Sequence, residues 1–152
     1  MKRKFLFAVC CFVTLSVSAQ VAAELEILLN TSEVSYQQAA WLVLGAADIF
    51  EPTGIPDQDV AFDHAMNLGW LPSNAAPTDR ARLDAVSLLI MRAFDIRGGV
   101  FFTLTGRPRY AYRELVFRNI IQGRSNPAMA VSGESLLFIV NRVFSFQEAN
   151  QL

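Results

Sequence analysis

The chain has 152 residues, 53% of them apolar and 18% charged, with a net charge of −1, two cysteines and one histidine. That length supports one domain able to bury around two-thirds of its unfolded surface. The scarcity of His and Cys excludes an ordinary zinc centre, and the acidic balance lacks the basic footprint of a nucleic-acid binder.

Met1-Lys2-Arg3-Lys4 forms a positive cluster, followed by an apolar run from Phe5 to Ala19 and by the small residues of Val17-Ser18-Ala19 and Val21-Ala22-Ala23. A charged start, a short apolar middle and small residues before the cut define a secretory signal. Residues 1–23 are therefore read as a leader, cut after Ala19 or Ala23. The competing reading is a retained anchor, but a span needs roughly twenty apolar residues, and Thr14, Ser16 and Ser18 interrupt this run. Cys10 and Cys11 leave with the leader, so residues 24–152 form a single cysteine-free domain without disulfide or thiol chemistry. The expected location is the periplasm, the cell envelope or the medium, with the domain held together by its core alone.

Losing Lys2, Arg3 and Lys4 takes the net charge from −1 to −4, and every remaining Lys/Arg position is arginine. The charges are segregated. Glu24 to Asp63 holds eight acids and no Lys or Arg, whereas Asp79 to Arg142 holds ten arginines against five acids. Two such halves can attract each other within one fold or set up a directional field at the surface.

The first helix is predicted from Ser35 to about Ala47, because Ser35 and Gln38 have capping-box spacing. Pro52, Gly54 and Pro56 mark a loop. A second helix fits Asp57 to Leu68, with Asp57 at the cap and Gly69 as the stop. A third is expected from near Thr78 to Phe94, apolar on nearly every side over Ala85 to Phe94 and so central and buried. Gly98-Gly99 breaks the chain, and the aromatic, β-branched stretch Val100 to Leu104 reads as a short strand or hairpin near 100–106. A fourth helix fits Pro108 to Ile121, with Pro at its first turn and Gly123 past its end. A fifth runs from Ser132 to about Phe144, and the polar tail from Gln147 is expected to fray. The fold class is all-α: a compact bundle of about five helices.

A shift of fifty residues lays the second half over the first. It matches Thr53 with Thr103, Ala61 with Ala111, Pro77 with Pro127, Arg92 with Arg142 and Phe94 with Phe144. The shift implies two related helix-loop-helix units, about 50–96 and 100–146, preceded by one helix whose apolar block resembles those of the third and fifth.

The stretches Ala65-Met66-Asn67-Leu68-Gly69-Trp70 and Ser87-Leu88-Leu89-Ile90-Met91-Arg92-Ala93-Phe94, with their counterparts Ile120-Ile121-Gln122-Gly123 and Leu137 to Phe144, resemble S-layer-homology-type helical repeats. In that family a helix ends in a glycine-hydrophobic turn, and a second helix carries a basic residue near its end. The resemblance covers roughly residues 50–146 and implies an envelope-associated helical scaffold. The family's Thr-Arg-Ala-Glu stretch, which contacts cell-wall polysaccharide, is absent. The matching places read Arg82-Leu83-Asp84-Ala85 and Ser132-Gly133-Glu134-Ser135, which weakens the implication of glycan binding.

Catalytic and metal readings are weak. Asp57, Asp59, Asp63 and His64 lack the glycine and distal Glu of a calcium loop. Ser87, Ser125, Ser132 and Ser135 lie in no nucleophile-elbow pattern. Glu51, Asp57, Glu114 and Glu134 are acids that any chain of this size would carry. No metal or cofactor is expected.

A better candidate is the cluster Arg107, Arg109 and Arg113 with Tyr110 and Tyr112, because guanidinium groups beside aromatic rings suit anionic or sugar-bearing partners. Arg118 and Arg124 lie nearby in sequence. The competing expectation is that Arg113 and Glu114 pair with other helices, above all with the acidic half. Trp70, Leu71, Phe101 and Phe102 sit near turns and either extend a binding patch or cap the core. Arg92 and Arg142 suit helix C-termini. The sequence thus favours a non-catalytic envelope module binding a protein or a cell-wall component. A small periplasmic hydrolase and a structural subunit of a larger envelope assembly are the alternatives.

Overall fold

The structure, a computed structural model, describes residues 22–49 and 57–150; most of the expected leader, Glu51 and the prolines at 52 and 56 lie outside them. The fold is all-α. Residues 22–29 form α1, followed by α2 (Tyr36–Ala46), α3 (Gln58–Asn67), α4 (Leu83–Ala93), α5 (Val100–Thr105), α6 (Pro108–Phe117) and α7 (Gly133–Asn150).

Three helices, α2, α4 and α7, form the centre, and each is entered through an extended segment. The three entry segments hydrogen-bond in a ring. The Val34 N–H donates to Val131 O at 2.8 Å, the Val131 N–H to Ala81 O at 3.1 Å, and the Ala81 N–H to Val34 O at 2.7 Å. Two residues further on, a second ring runs the other way round: Tyr36 N–H to Asp79 O, Leu83 N–H to Met129 O and Gly133 N–H to Thr31 O, at 2.9–3.0 Å. Val34, Ala81 and Val131 are fully or almost fully buried. These bonds satisfy N–H groups at the starts of all three central helices, which have no partner within their own helix. The hydrogen-bond pattern of the three entries has an approximate three-fold character.

The remaining long helices pack outside this centre. α3 packs on α2 and α6 on α4. α1 closes on the start of α7, where a Cβ added to Gly133 would lie 1.7 Å from the Leu28 carbonyl oxygen. Only glycine lets the two backbones approach so closely. Ala61, Phe62 and Ala65 bury the inner face of α3, and Ala111 and Leu115 that of α6.

Local chemistry explains most boundaries. Ser35 and Gln38 form the capping box at α2. α4 buries Leu83 and every residue from Ala85 to Met91, including Ser87, whose hydroxyl donates to Leu83 O. Asp57 occupies the N-cap of α3 without a side-chain cap bond.

Several expectations need correction. Residues 78–82 are not helical, because Asp79 and Ala81 are held extended by the two rings, so α4 starts at Leu83. The stretch Val100 to Thr105 is a helix rather than a strand. Thr103 N–H bonds back to Gly99 O, the Thr105 hydroxyl to Phe101 O, and Gly106 ends the helix at φ 59. With one buried side chain, Phe102, the segment borders no sheet edge to pair with. α6 stops at Phe117 because Asn119, not Gly123, takes the first left-handed position, at φ 58. α7 runs past Phe144 to Asn150, and the Gln147 side chain donates to Phe94 O. The helix before the two units is itself preceded by α1, so a third helix pair completes the ring.

Candidate partner-binding surface

α5 and α6 form a short, bent hairpin lying over the outside of α4. Pro108 at the first turn of α6 and the left-handed Gly106 before it set the bend. With Phe102 turned inward, the rest of α5 faces water: Val100 is 79% exposed, Phe101 64% and Leu104 81%. Phe101 stacks on Tyr110, ring centroids 5.8 Å apart and planes 15° from parallel. This contact joins the outer faces of the two helices. Phe117 is 84% exposed and lies one turn from Arg113, which it neighbours on the helix surface. Arg107, Arg109 and Arg113 are all exposed. The hairpin therefore presents Phe101, Tyr110 and Phe117 among three arginines, together with Val100 and Leu104.

The predicted site residues divide. Arg107, Arg109, Tyr110, Arg113 and Phe101 share this surface. Tyr112 does not, because its hydroxyl donates to Ser125 O at 3.0 Å and pairs with the Ser125 hydroxyl at 2.8 Å, tying α6 to the next loop. Trp70 and Phe102 line a separate recess of about 520 Å³ with Arg92, Asp95, Ile96 and Arg97. There the Arg92 guanidinium sits 5.4 Å from the Phe102 ring centre, and Phe102 belongs to the core.

The expected pairing of Arg113 and Glu114 with the acidic half is not found. Glu114 faces Arg118 at 3.8 Å within α6. Arg118 also donates to Arg97 O and lies over the Phe146 ring, so it is a structural arginine. Among the described residues no ion pair joins an arginine of 80–142 to an acid of 24–63. Arg142 donates to Ile120 O at 3.3 Å, which ties α7 to the turn after α6.

Sequence reasoning missed Val100, Leu104 and Phe117. The strand assignment hid the helical face shared by Val100 and Leu104. Phe117 was legible in principle, being four residues from Arg113 and seven from Tyr110. It also missed a recess of about 640 Å³ between the start of α4, the loop before α7 and α7 itself. Gln122, Arg124, Ser135 and Arg142 line it beside Ile121 and Phe138.

The candidate serine hydroxyls are engaged in hydrogen bonds within the fold. Ser87 bonds Leu83 O, Ser125 bonds Tyr112, and Ser132 and Ser135 bond each other at 2.8 Å at the start of α7. No group of three or more His, Cys, Asp or Glu side chains converges among the described residues. No helix among them is long and apolar enough to cross a membrane. Burial pushes the Tyr36 hydroxyl above its ordinary range, with the Arg82 backbone and guanidinium opposing. The Asp84 carboxylate, hydrogen-bonded to Arg82, raises that guanidinium. Both groups sit at helix starts, Tyr36 at α2 and Arg82 at α4. The chain is matched by no family model, by no curated protein and by no solved structure.

Proposed function

We propose that this chain is a non-catalytic, exported envelope module that binds an acidic protein partner through the outer face of α5 and α6. One observation carries the reading: a small helix exposes Val100, Phe101 and Leu104 beside the exposed arginines of α6. Contiguous apolar surface in water marks an interaction site more often than it is tolerated idly. Aromatic rings with arginine are the residue types enriched where partners dock. The face is built from two helices rather than a cleft, which suits a protein surface better than a small substrate.

The leader-like start supports export. A cut after Ala19 leaves the helical residues 22–29 whole, and either cut retains Leu25 and Leu28, which pack on the core. The helix order resembling S-layer-homology-type repeats supports an envelope scaffold, and the missing Thr-Arg-Ala-Glu stretch argues against that family's glycan contact.

The test is capture from solubilised envelope fractions by the purified exported chain. The wild type is expected to retain a partner that Arg109→Ala/Arg113→Ala and Phe101→Ala/Phe117→Ala each release, with unfolding temperatures unchanged. Capture indifferent to both double variants removes the surface from the account.

A second reading rests on the recess of about 640 Å³, whose Arg124, Gln122 and Ser135 beside Phe138 suit an anionic cell-wall fragment. Calorimetric titration with such fragments, lost on Arg124→Ala, favours it over the protein partner; no heat of binding disposes of it.

A further inference from the structure

The fifty-residue register places α3 and α6 in equivalent roles, each an outer helix on the preceding central one. Their ends match in detail. Trp70 N–H bonds to Ala65 O and Ile120 N–H to Leu115 O, both at 2.9 Å, and Gly69 and Asn119 take the same left-handed conformation. On this common backbone, three positions carry opposite charge. Asp57 and Arg107 are the two N-cap residues. Asp59 matches Arg109, and Asp63 matches Arg113. All six side chains are exposed, and none takes part in either ion pair of the described residues. Apolar side chains accompany both sets: Val60 on α3 and Leu68 at its C-cap, at 54% and 47% exposure, and the Phe101–Tyr110 stack between α5 and α6 with Phe117 on α6.

We infer that the acidic partner of the α6 face is the α3 face of a second copy of this chain. This deepens the docking reading above and rests on it. Equal spacing on equal backbones makes the two charge patterns geometric counterparts, which is what electrostatic complementarity between partners requires. Within one molecule α3 and α6 pack on different central helices, and no ion pair joins them. The contact is heterologous, α3 of one copy against α6 of another, so it builds a closed ring if the rotation closes and an open chain if it does not.

The experiment is sedimentation velocity of the purified chain at about 10 mM and about 1 M salt, between which the screening length falls from about 30 Å to about 3 Å. Two charge-reversed variants accompany it. Arg107→Asp/Arg109→Asp/Arg113→Asp makes both faces acidic, and Asp57→Arg/Asp59→Arg/Asp63→Arg makes both basic. The wild type is expected to self-associate at low salt and about tenfold or more weakly at high salt. Each variant alone stays monomeric, and an equimolar mixture of the two associates again.

Helical content by circular dichroism confirms that the variants fold. If either does not, Arg109→Gln/Arg113→Gln and Asp59→Asn/Asp63→Asn replace them, and each is expected to weaken association. A wild type that remains monomeric at low salt overturns the proposal, as does a folded pair whose mixture stays monomeric, or association that ignores the substitutions. If the wild type is monomeric yet envelope capture still depends on Arg109 and Arg113, the docking surface stands and its partner is a different protein. If capture also ignores those arginines, both readings fall.

Discussion

α3 and α6 hold the same position in the fold and agree on the inside while disagreeing on the outside. Ala61 and Ala111 are both fully buried, and Ala65 and Leu115 both face the central helices. Outward, Asp57, Asp59 and Asp63 stand where Arg107, Arg109 and Arg113 stand. Interior positions are constrained by close packing, in which a single methylene is felt, so they preserve the frame. Exposed positions answer to solvent and partners and are free to invert. The same contrast recurs at a half-buried pair. Tyr112 bonds Ser125, while their register mates lack both hydroxyls, Phe62 lying in the core and Ala75 packing against it. Donor and acceptor are present together on one side and absent together on the other, which leaves neither unsatisfied.

The largest expected effect separates inside from outside on one helix. Leu115→Ala empties a fully buried position and should cost about 2–5 kcal/mol in urea unfolding. Phe117→Ala, two residues on, should change stability by less than about 0.5 kcal/mol; similar losses for both would erase the division. Next comes the third outer helix. Gly133→Ala forces a methyl toward the Leu28 carbonyl and should cost about 1–3 kcal/mol, although Tyr36 and Leu83 carry full side chains at matching places. No loss would mean that α1 does not press on α7.

Tyr112→Phe gives α6 the pattern of α3 but leaves Ser125 without its partner, for a loss of about 0.5–1.5 kcal/mol. Adding Ser125→Ala should return part of it, and a double-mutant cycle checks this. The smallest effect is alkaline. The Tyr36 hydroxyl has a folded value raised above 10.0, so its contribution is whole below pH 10 and is lost as pH rises through the higher folded value. The stability of Tyr36→Phe should therefore fall less steeply above pH 10 than that of the wild type.

Much of the frame was legible in the sequence because it rests on local signals. The capping box at Ser35, the Pro at the start of α6 and the apolar block of α4 each act within one turn or one helix. The extended entries at 79–82 and 130–131 were not legible, since their hydrogen bonds reach partners from about forty to nearly a hundred residues away and nothing local opposes a helix there. Val100 to Leu104 misled for a related reason: β-branched and aromatic residues favour strands only where a neighbouring strand exists. Of the candidate surface, Arg107, Arg109, Tyr110, Arg113 and Phe101 could be named from composition. Which rings turned outward could not, because Phe101 and Phe102 are adjacent and helix phase alone sends one to water and the other to the core.

All of this depends on the ring of three backbone hydrogen bonds at Val34, Ala81 and Val131. Native-state hydrogen exchange of the purified chain, read at those three amides, tests it directly. The account predicts that all three exchange only through global unfolding, with protection as high as that of the most protected amides of α4. Rapid exchange at any one of them, with α4 still protected, would show that the ring is open and that the three helix pairs are not equivalent.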